Sequence, residues 1–170
     1  MKVLEERKSH KERRRVKMRV RDVQAVTFGT MDATITILGV MLGLVVFADK
    51  NILLTAMFAT GVADSFANAS GMYAIRTSEK RKTQSQSVSY CFAATLTVTI
   101  MLVLPIVLFP IDLSPYITAT FAVFLLAVLG AFASKKAKRD PYKLAGSYVV
   151  IGIIVSLITY LIGLGISGNI

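Results

Sequence analysis

Five long apolar segments constrain the fold of this 170-residue chain. A helix needs about 20 residues to cross a hydrocarbon core of about 30 Å, and each segment has about that length. The segments are residues 23–48, 51–74, 88–109, 115–133 and 144–167. The loops between them are too short to form a second domain. We therefore expect an all-α membrane protein, with a basic arm over residues 1–22 and one five-helix transmembrane domain over residues 23–170.

The basic residues that give the net charge of +10 are distributed unevenly along the chain. They concentrate before the first segment, after the second and after the fourth, whereas Lys50 is the one basic residue in the other connections. Five crossings place those three basic stretches on one side, which the positive-inside rule assigns to the cytoplasm. We expect a cytoplasmic N-terminus and a C-terminus outside.

The arm over residues 1–22 is the most basic part of the chain. No aromatic residue lies among its basic residues, and aromatic side chains are what stack on the bases of single-stranded nucleic acids. We therefore expect no nucleic-acid partner and assign the arm to contact with the anionic headgroups of the lipid bilayer.

Two aspartates, Asp32 and Asp64, lie inside the first two apolar segments. A carboxylate at mid-membrane opposes insertion by about 2.5–3.5 kcal/mol, so such residues mark an ion pathway, a bound ligand or a buried partner. At the rise of an α-helix, the acids lie about 13 Å and about 15 Å from the cytoplasmic ends of their segments. Because neighbouring spans are antiparallel, we expect the two side chains to meet.

Further donor atoms lie beside the two acids. Asp64, Asn68 and Met72 follow one another at a spacing of four residues and share one helical face, and Thr36 lies one turn beyond Asp32. Carboxylate and amide oxygens suit divalent cations, and a thioether favours softer ones such as ferrous iron. A hydrocarbon surrounding favours the protonated carboxyl group, and metal binding displaces protons. This donor set therefore predicts exchange of a cation for protons.

Small residues indicate where helices approach one another closely. Gly39 and Gly43 form a small-xxx-small pair in the first span, on the face of Asp32, and Gly61 and Gly71 lie among small side chains in the second. We expect these four glycines to pack against other helices.

The remaining spans carry few chemical signals. Cys91, the single cysteine, is predicted to be a packing residue, and Pro105 and Pro110 to bend or end the third helix. We therefore interpret the third to fifth spans as scaffold.

Enzyme signatures are missing from the sequence: there is no phosphate loop, no dinucleotide glycine fingerprint, no His-rich metal motif and no Ser/His/Asp set. The single histidine, His10, lies in the arm, far from the spans. We therefore expect a protein that is not an enzyme and holds no permanent cofactor, with a divalent metal ion as its substrate.

The first two spans resemble the vacuolar iron transporter family, which also includes fungal vacuolar cation transporters and short prokaryotic members. The first span reads FGTMDATITILGVMLGL and is similar to the family's Asp-Gly-x-x-Thr helix, which falls here on Asp32, Ala33 and Thr36, followed by Gly39. The second span reads SFANASGMYAIRTSEKRK and is similar to a Ser-Met-Ala-x-Gly-Glu-Tyr stretch. The resemblance covers residues 28–82, and the rest of the chain by topology.

The resemblance implies a role for each matched residue. Asp32 corresponds to the family's metal-path aspartate, Asn68 replaces a methionine, Met72 replaces a glutamate, and Asp64 adds a charge. The acidic metal-binding insert that follows the second span in the family's iron transporters is missing, so the chain resembles a short member. The resemblance also implies a homodimer whose first two helices line a path at the two-fold axis.

We thus expect a transporter of iron- or manganese-type divalent cations out of the cytoplasm by proton antiport. The membrane would be a prokaryotic cell membrane, or a vacuolar-type membrane in a eukaryote. Two alternatives stay open: a non-transporting membrane interaction protein whose acids are structural, and a proton or monovalent cation channel.

Overall fold

The computed structural model describes residues 2–78, 84–137 and 140–168. Over these residues the chain forms five helices and no strand. The helices are α1 (Lys2–Leu44), α2 (Lys50–Ser78), α3 (Gln84–Leu108), α4 (Ser114–Ala137) and α5 (Pro141–Ser167). All five contain a stretch long and apolar enough to span a membrane, which confirms the predicted all-α membrane fold. The basic residues 80–82, 138 and 139 lie outside the described ranges.

The first helix is continuous from Lys2, so the backbone of the arm runs into the first span without a break. The apolar part covers Asp22–Leu44 and ends four residues before the predicted boundary. The first span ends early because α2 begins soon after it, at Lys50. The Asp49 side chain accepts a hydrogen bond from the Ile52 backbone N–H at 2.8 Å, which caps the new helix and fixes the turn before it.

The bundle is organised around α1, which contacts all four other helices. Each helix from α2 to α4 also packs on the next helix along the chain, but α2 does not contact α5 within the described residues. We call the end of the bundle near Asp22, Ser78 and Gln84 the basic end, and the opposite end the Lys50 end.

Apolar side chains fill the half of the bundle toward the Lys50 end. The main core contains residues from four helices and includes Ile37, Met41, Leu53, Leu102 and Ala122. Its position places the two intramembrane acids on the basic side of this core.

The four predicted packing glycines lie in different surroundings. A Cβ added at Gly39 would lie 3.4 Å from Thr159 Cγ2, and one at Gly43 would lie 3.5 Å from the Thr159 carbonyl oxygen, so this pair faces α5. At Gly61 a Cβ would lie 2.8 Å from the Thr99 Cβ, which marks direct contact with α3. At Gly71 it would meet no atom within 4 Å.

Candidate metal site between the first three helices

The carboxyl groups of Asp32 and Asp64 meet between α1 and α2, in agreement with their similar predicted depths. They are close enough for a side-chain hydrogen bond and a direct charge–charge interaction. The Oδ2 atom of Asp64 is buried and has no hydrogen-bond partner within the described parts of the chain. Two carboxylates in this position repel each other in a medium of low dielectric constant. A shared proton or a bound cation removes that repulsion.

Asn68 connects this pair to the third helix. Its side-chain nitrogen donates a hydrogen bond to Asp32 Oδ2 at 2.8 Å and lies 3.4 Å from Thr95 Oγ1. Asn68 is buried. Its position on α2, one turn from Asp64, therefore brings a polar side chain from each of three helices to one place.

Thr95 was not among the predicted site residues, because the third span was interpreted as scaffold. The threonine is fully buried, its hydroxyl lies 3.0 Å from the Cys91 carbonyl oxygen, and the Gly29 carbonyl oxygen lies 3.3 Å away. Threonine hydroxyls in helices bond to carbonyls one turn back as a rule, so sequence does not distinguish one that also meets a neighbouring helix.

Gly29 explains why α3 comes so near to α1 at this level. A Cβ at this position would lie 2.7 Å from both the Cys91 carbonyl oxygen and Thr95 Oγ1. Only a glycine permits this approach. The Asp32 region of α1 is therefore packed directly on the Thr95 region of α3.

Met72, a predicted ligand, lies away from the acid pair, two turns along α2 toward the basic end. It is buried in a small cluster with Ala25 and Cys91, against which Val88 packs. We call these four residues the apolar layer. Cys91 is a free thiol inside that layer, and its surroundings are those of a packing residue.

Polar groups return on the basic side of the apolar layer. Ser87 Oγ donates to Asp22 Oδ1 at 3.1 Å, and Arg76, one turn beyond Met72, is buried. Along α1, α2 and α3 the order is thus polar, apolar, polar, and the two half-buried acids lie between the apolar layer and the main core. Thr36, the predicted supporting donor, is half-buried one turn beyond Asp32.

The carboxyl groups alone do not make a complete metal-binding shell. Within the described ranges no three His, Cys, Asp or Glu side chains come together. Divalent cations such as calcium and magnesium take six or more oxygen ligands, and one chain contributes two carboxyl groups here. A bound cation would take its further ligands from hydroxyl or carbonyl oxygens of the same chain, from water or from a second copy of the chain.

Comparisons with protein-family models, curated proteins and solved structures found no match to this chain.

Proposed function

We propose that this protein is a multi-pass membrane transporter that moves a divalent cation of the iron or manganese type out of the cytoplasm in exchange for protons. The observation that supports this most is the meeting of Asp32 and Asp64, with the buried Asp64 Oδ2 lacking a partner in the described chain. Such a pair inside a membrane requires positive charge between its members.

The charge balance of the pair suits antiport. Two carboxylates are neutralised either by one divalent cation or by two protons, so each ligand must leave before the other binds. The site returns to a neutral state in both cases. Alternation between these two states, with access from opposite sides, couples outward movement of the cation to inward movement of protons.

The orientation and membrane follow from charge and resemblance. The basic connections support a cytoplasmic N-terminus, and the resemblance of residues 28–82 supports a short member of the vacuolar iron transporter family. We place the protein in a prokaryotic cell membrane, or in a vacuolar-type membrane if the source is eukaryotic.

A homodimer is part of this proposal. Five small residues at a spacing of four form a ridge that winds along α2, and all of them are exposed: Thr55, Ala59, Ala63, Ala67 and Gly71. We call this ridge the small-residue stripe. In membranes such stripes let helices approach closely and associate. Asp64 directly follows Ala63, so pairing through the stripe brings a second copy near the acid pair.

Transport by reconstituted protein tests the proposal. We expect Asp32→Asn to abolish uptake of ferrous or manganous ions into proteoliposomes, together with the associated proton flux, because one charge of the pair is lost. Asp112→Asn, at an exposed acid outside the spans, is the matched control and should transport normally. Uptake and pH coupling in Asp32→Asn equal to those of the wild type would refute the transport function. Conductance without coupled proton flux would identify a channel instead.

A structural role for the same residues is the second candidate, since the Asn68 contacts join three helices. The melting temperature separates the two functions. A ligand that binds only the folded state raises it, so Mn²⁺ should stabilise a transporter. A purely structural pair predicts that Asp32→Asn lowers the melting temperature while Mn²⁺ has no effect on the wild type.

A further inference from the structure

The orientation of the Asn68 amide is set by the groups around it. A carboxylate oxygen only accepts hydrogen bonds, so the atom of Asn68 at 2.8 Å from Asp32 Oδ2 is the NH₂ nitrogen. The lone pair of an amide nitrogen is delocalised into the carbonyl group, so this nitrogen is a hydrogen-bond donor and not a metal ligand. The side chain therefore presents its donor, rather than a ligand atom, to Asp32.

The amide is held in this orientation from the other side by Thr95. The single hydroxyl hydrogen of Thr95 is directed at a carbonyl oxygen, that of Cys91 at 3.0 Å or that of Gly29 at 3.3 Å. The oxygen lone pairs stay available to accept from the Asn68 nitrogen at 3.4 Å. Because Thr95 is fully buried and faces Gly29 at the contact between α1 and α3, this acceptor is fixed in place.

We infer that Thr95 and Asn68 are positioning residues, which orient the Asp32 carboxylate toward Asp64 and thereby set the affinity of the pair for a divalent cation. This inference deepens the proposed function and rests on it for the transport measurement. It gives the Asn68 amide nitrogen a role that differs from the expected one of a ligand. It also brings α3, interpreted from sequence as scaffold, into the cation site.

The first test is the kinetics of Mn²⁺ uptake by Thr95→Val, which keeps the side-chain shape and removes the hydroxyl. We expect about a fivefold rise in KM, the size that loss of one hydrogen bond gives, with a smaller change in kcat. Thr95→Ser keeps the hydroxyl and should keep the wild-type KM. Thr97→Val, on an exposed face of the same helix, is the matched control and should leave KM unchanged. An unchanged KM in folded Thr95→Val would overturn the inference.

The second test distinguishes positioning from ligation. Asn68→Ala removes the donor itself and should raise the KM values for Mn²⁺, Fe²⁺ and Co²⁺ by similar factors, because no ligand is lost. A change in the order of preference among the three ions would show that Asn68 is a ligand, and would overturn the inference.

A third measurement does not depend on transport. Infrared spectra of protein labelled with ¹³C at the aspartate carboxyl carbon resolve the Asp32 band, assigned by its loss in Asp32→Asn. We expect this band to shift in Thr95→Val and to stay in place in Thr97→Val. If the band shifts in Thr95→Val but the wild-type protein transports no cation, the proposed function is refuted and the positioning role is retained. An unmoved band would refute the positioning role even if transport is normal.

Discussion

At the scale of single residues, the two intramembrane acids differ although they lie side by side. Asp32 accepts a hydrogen bond from Asn68, whereas Asp64 keeps a buried oxygen without a partner among the described residues. Asp32 is therefore held by a side chain of the neighbouring helix, whereas Asp64 leaves one buried oxygen open to a ligand.

Lys50, the one basic residue expected outside, is explained by its contacts. Its ammonium group donates to the carbonyl oxygens of Val107 and Phe109, at 3.1 Å and 3.0 Å. These carbonyls lie at the C-terminal end of α3, where Pro110 follows and no helical N–H is available to bond them. A cation at this end of a helix is also favoured by the helix dipole.

We predict that Lys50→Met lowers the free energy of unfolding by about 1–2 kcal/mol, because both carbonyls lose a charged donor. Chemical denaturation of detergent-solubilised protein measures the change. Lys143→Met, at an exposed lysine near the start of α5, serves as the control and should change stability little. Equal stability of the two variants would show that the Lys50 contacts contribute nothing.

At the scale of helices, the apolar layer separates the acid pair from the basic end of the bundle. Met72, Ala25 and Cys91 are buried at the junction of α1, α2 and α3, and the Asp22–Ser87 hydrogen bond lies beyond them. A cation that reaches the pair from the basic end along the junction of these three helices must pass this layer. Transport by this route therefore requires α1, α2 and α3 to separate there during the cycle.

Cys91 reports on that separation, because it is the only cysteine and is fully buried. We predict slow alkylation by N-ethylmaleimide in the resting protein and several-fold faster alkylation in Met72→Ala, in which the layer is thinner. Met101→Ala, at an exposed methionine of α3, is the control and should react at the wild-type rate. Mass spectrometry of the modified protein measures the rates. If Met72→Ala also reacts at the wild-type rate, Met72 does not close this route.

At the scale of the whole molecule, one side of α2 contacts no other helix among the described residues. This helix packs only on α1 and α3 within the described chain, and the small-residue stripe lies on its exposed face. Lipid chains fit poorly against small side chains, and a second helix fits well. The stripe is therefore the surface through which we expect two copies to associate.

Gly71 and Gly146 form a matched pair for testing that association, since a Cβ at either position would meet no atom within 4 Å. We predict that Gly71→Leu, in the stripe, shifts the protein from dimer to monomer, because leucine holds the two α2 helices apart. Gly146→Leu on α5 should stay dimeric. Light scattering coupled to size-exclusion chromatography gives the mass of each. A dimeric Gly71→Leu would place the interface elsewhere.

The sequence predicted those features that depend on length and depth along the chain. The five spans follow from the number of apolar residues, and the meeting of Asp32 with Asp64 follows from similar distances along antiparallel helices. What it could not predict is which helix covers which face. Met72 shares a face with Asp64, yet its depth places it in the apolar layer. Thr95 was missed because a threonine hydroxyl that bonds to a carbonyl oxygen of its own helix gives no sign in the sequence of a contact with another helix.

The sequence also could not predict which helix packs on Gly39 and Gly43. These glycines follow Asp32 on one face of α1, and spacing alone suggests one partner for the whole face. The structure has two partners: α2 at Asp32, and α5 at the glycines. Because α1 lies at the centre of the bundle, one face meets different helices at different depths.

Anomalous diffraction from crystals soaked in Mn²⁺ tests most directly whether the acid pair binds the cation. We predict an anomalous peak between the carboxyl groups of Asp32 and Asp64, and its loss in crystals of Asp64→Asn. Peaks confined to the protein surface, with none at the pair, would contradict it.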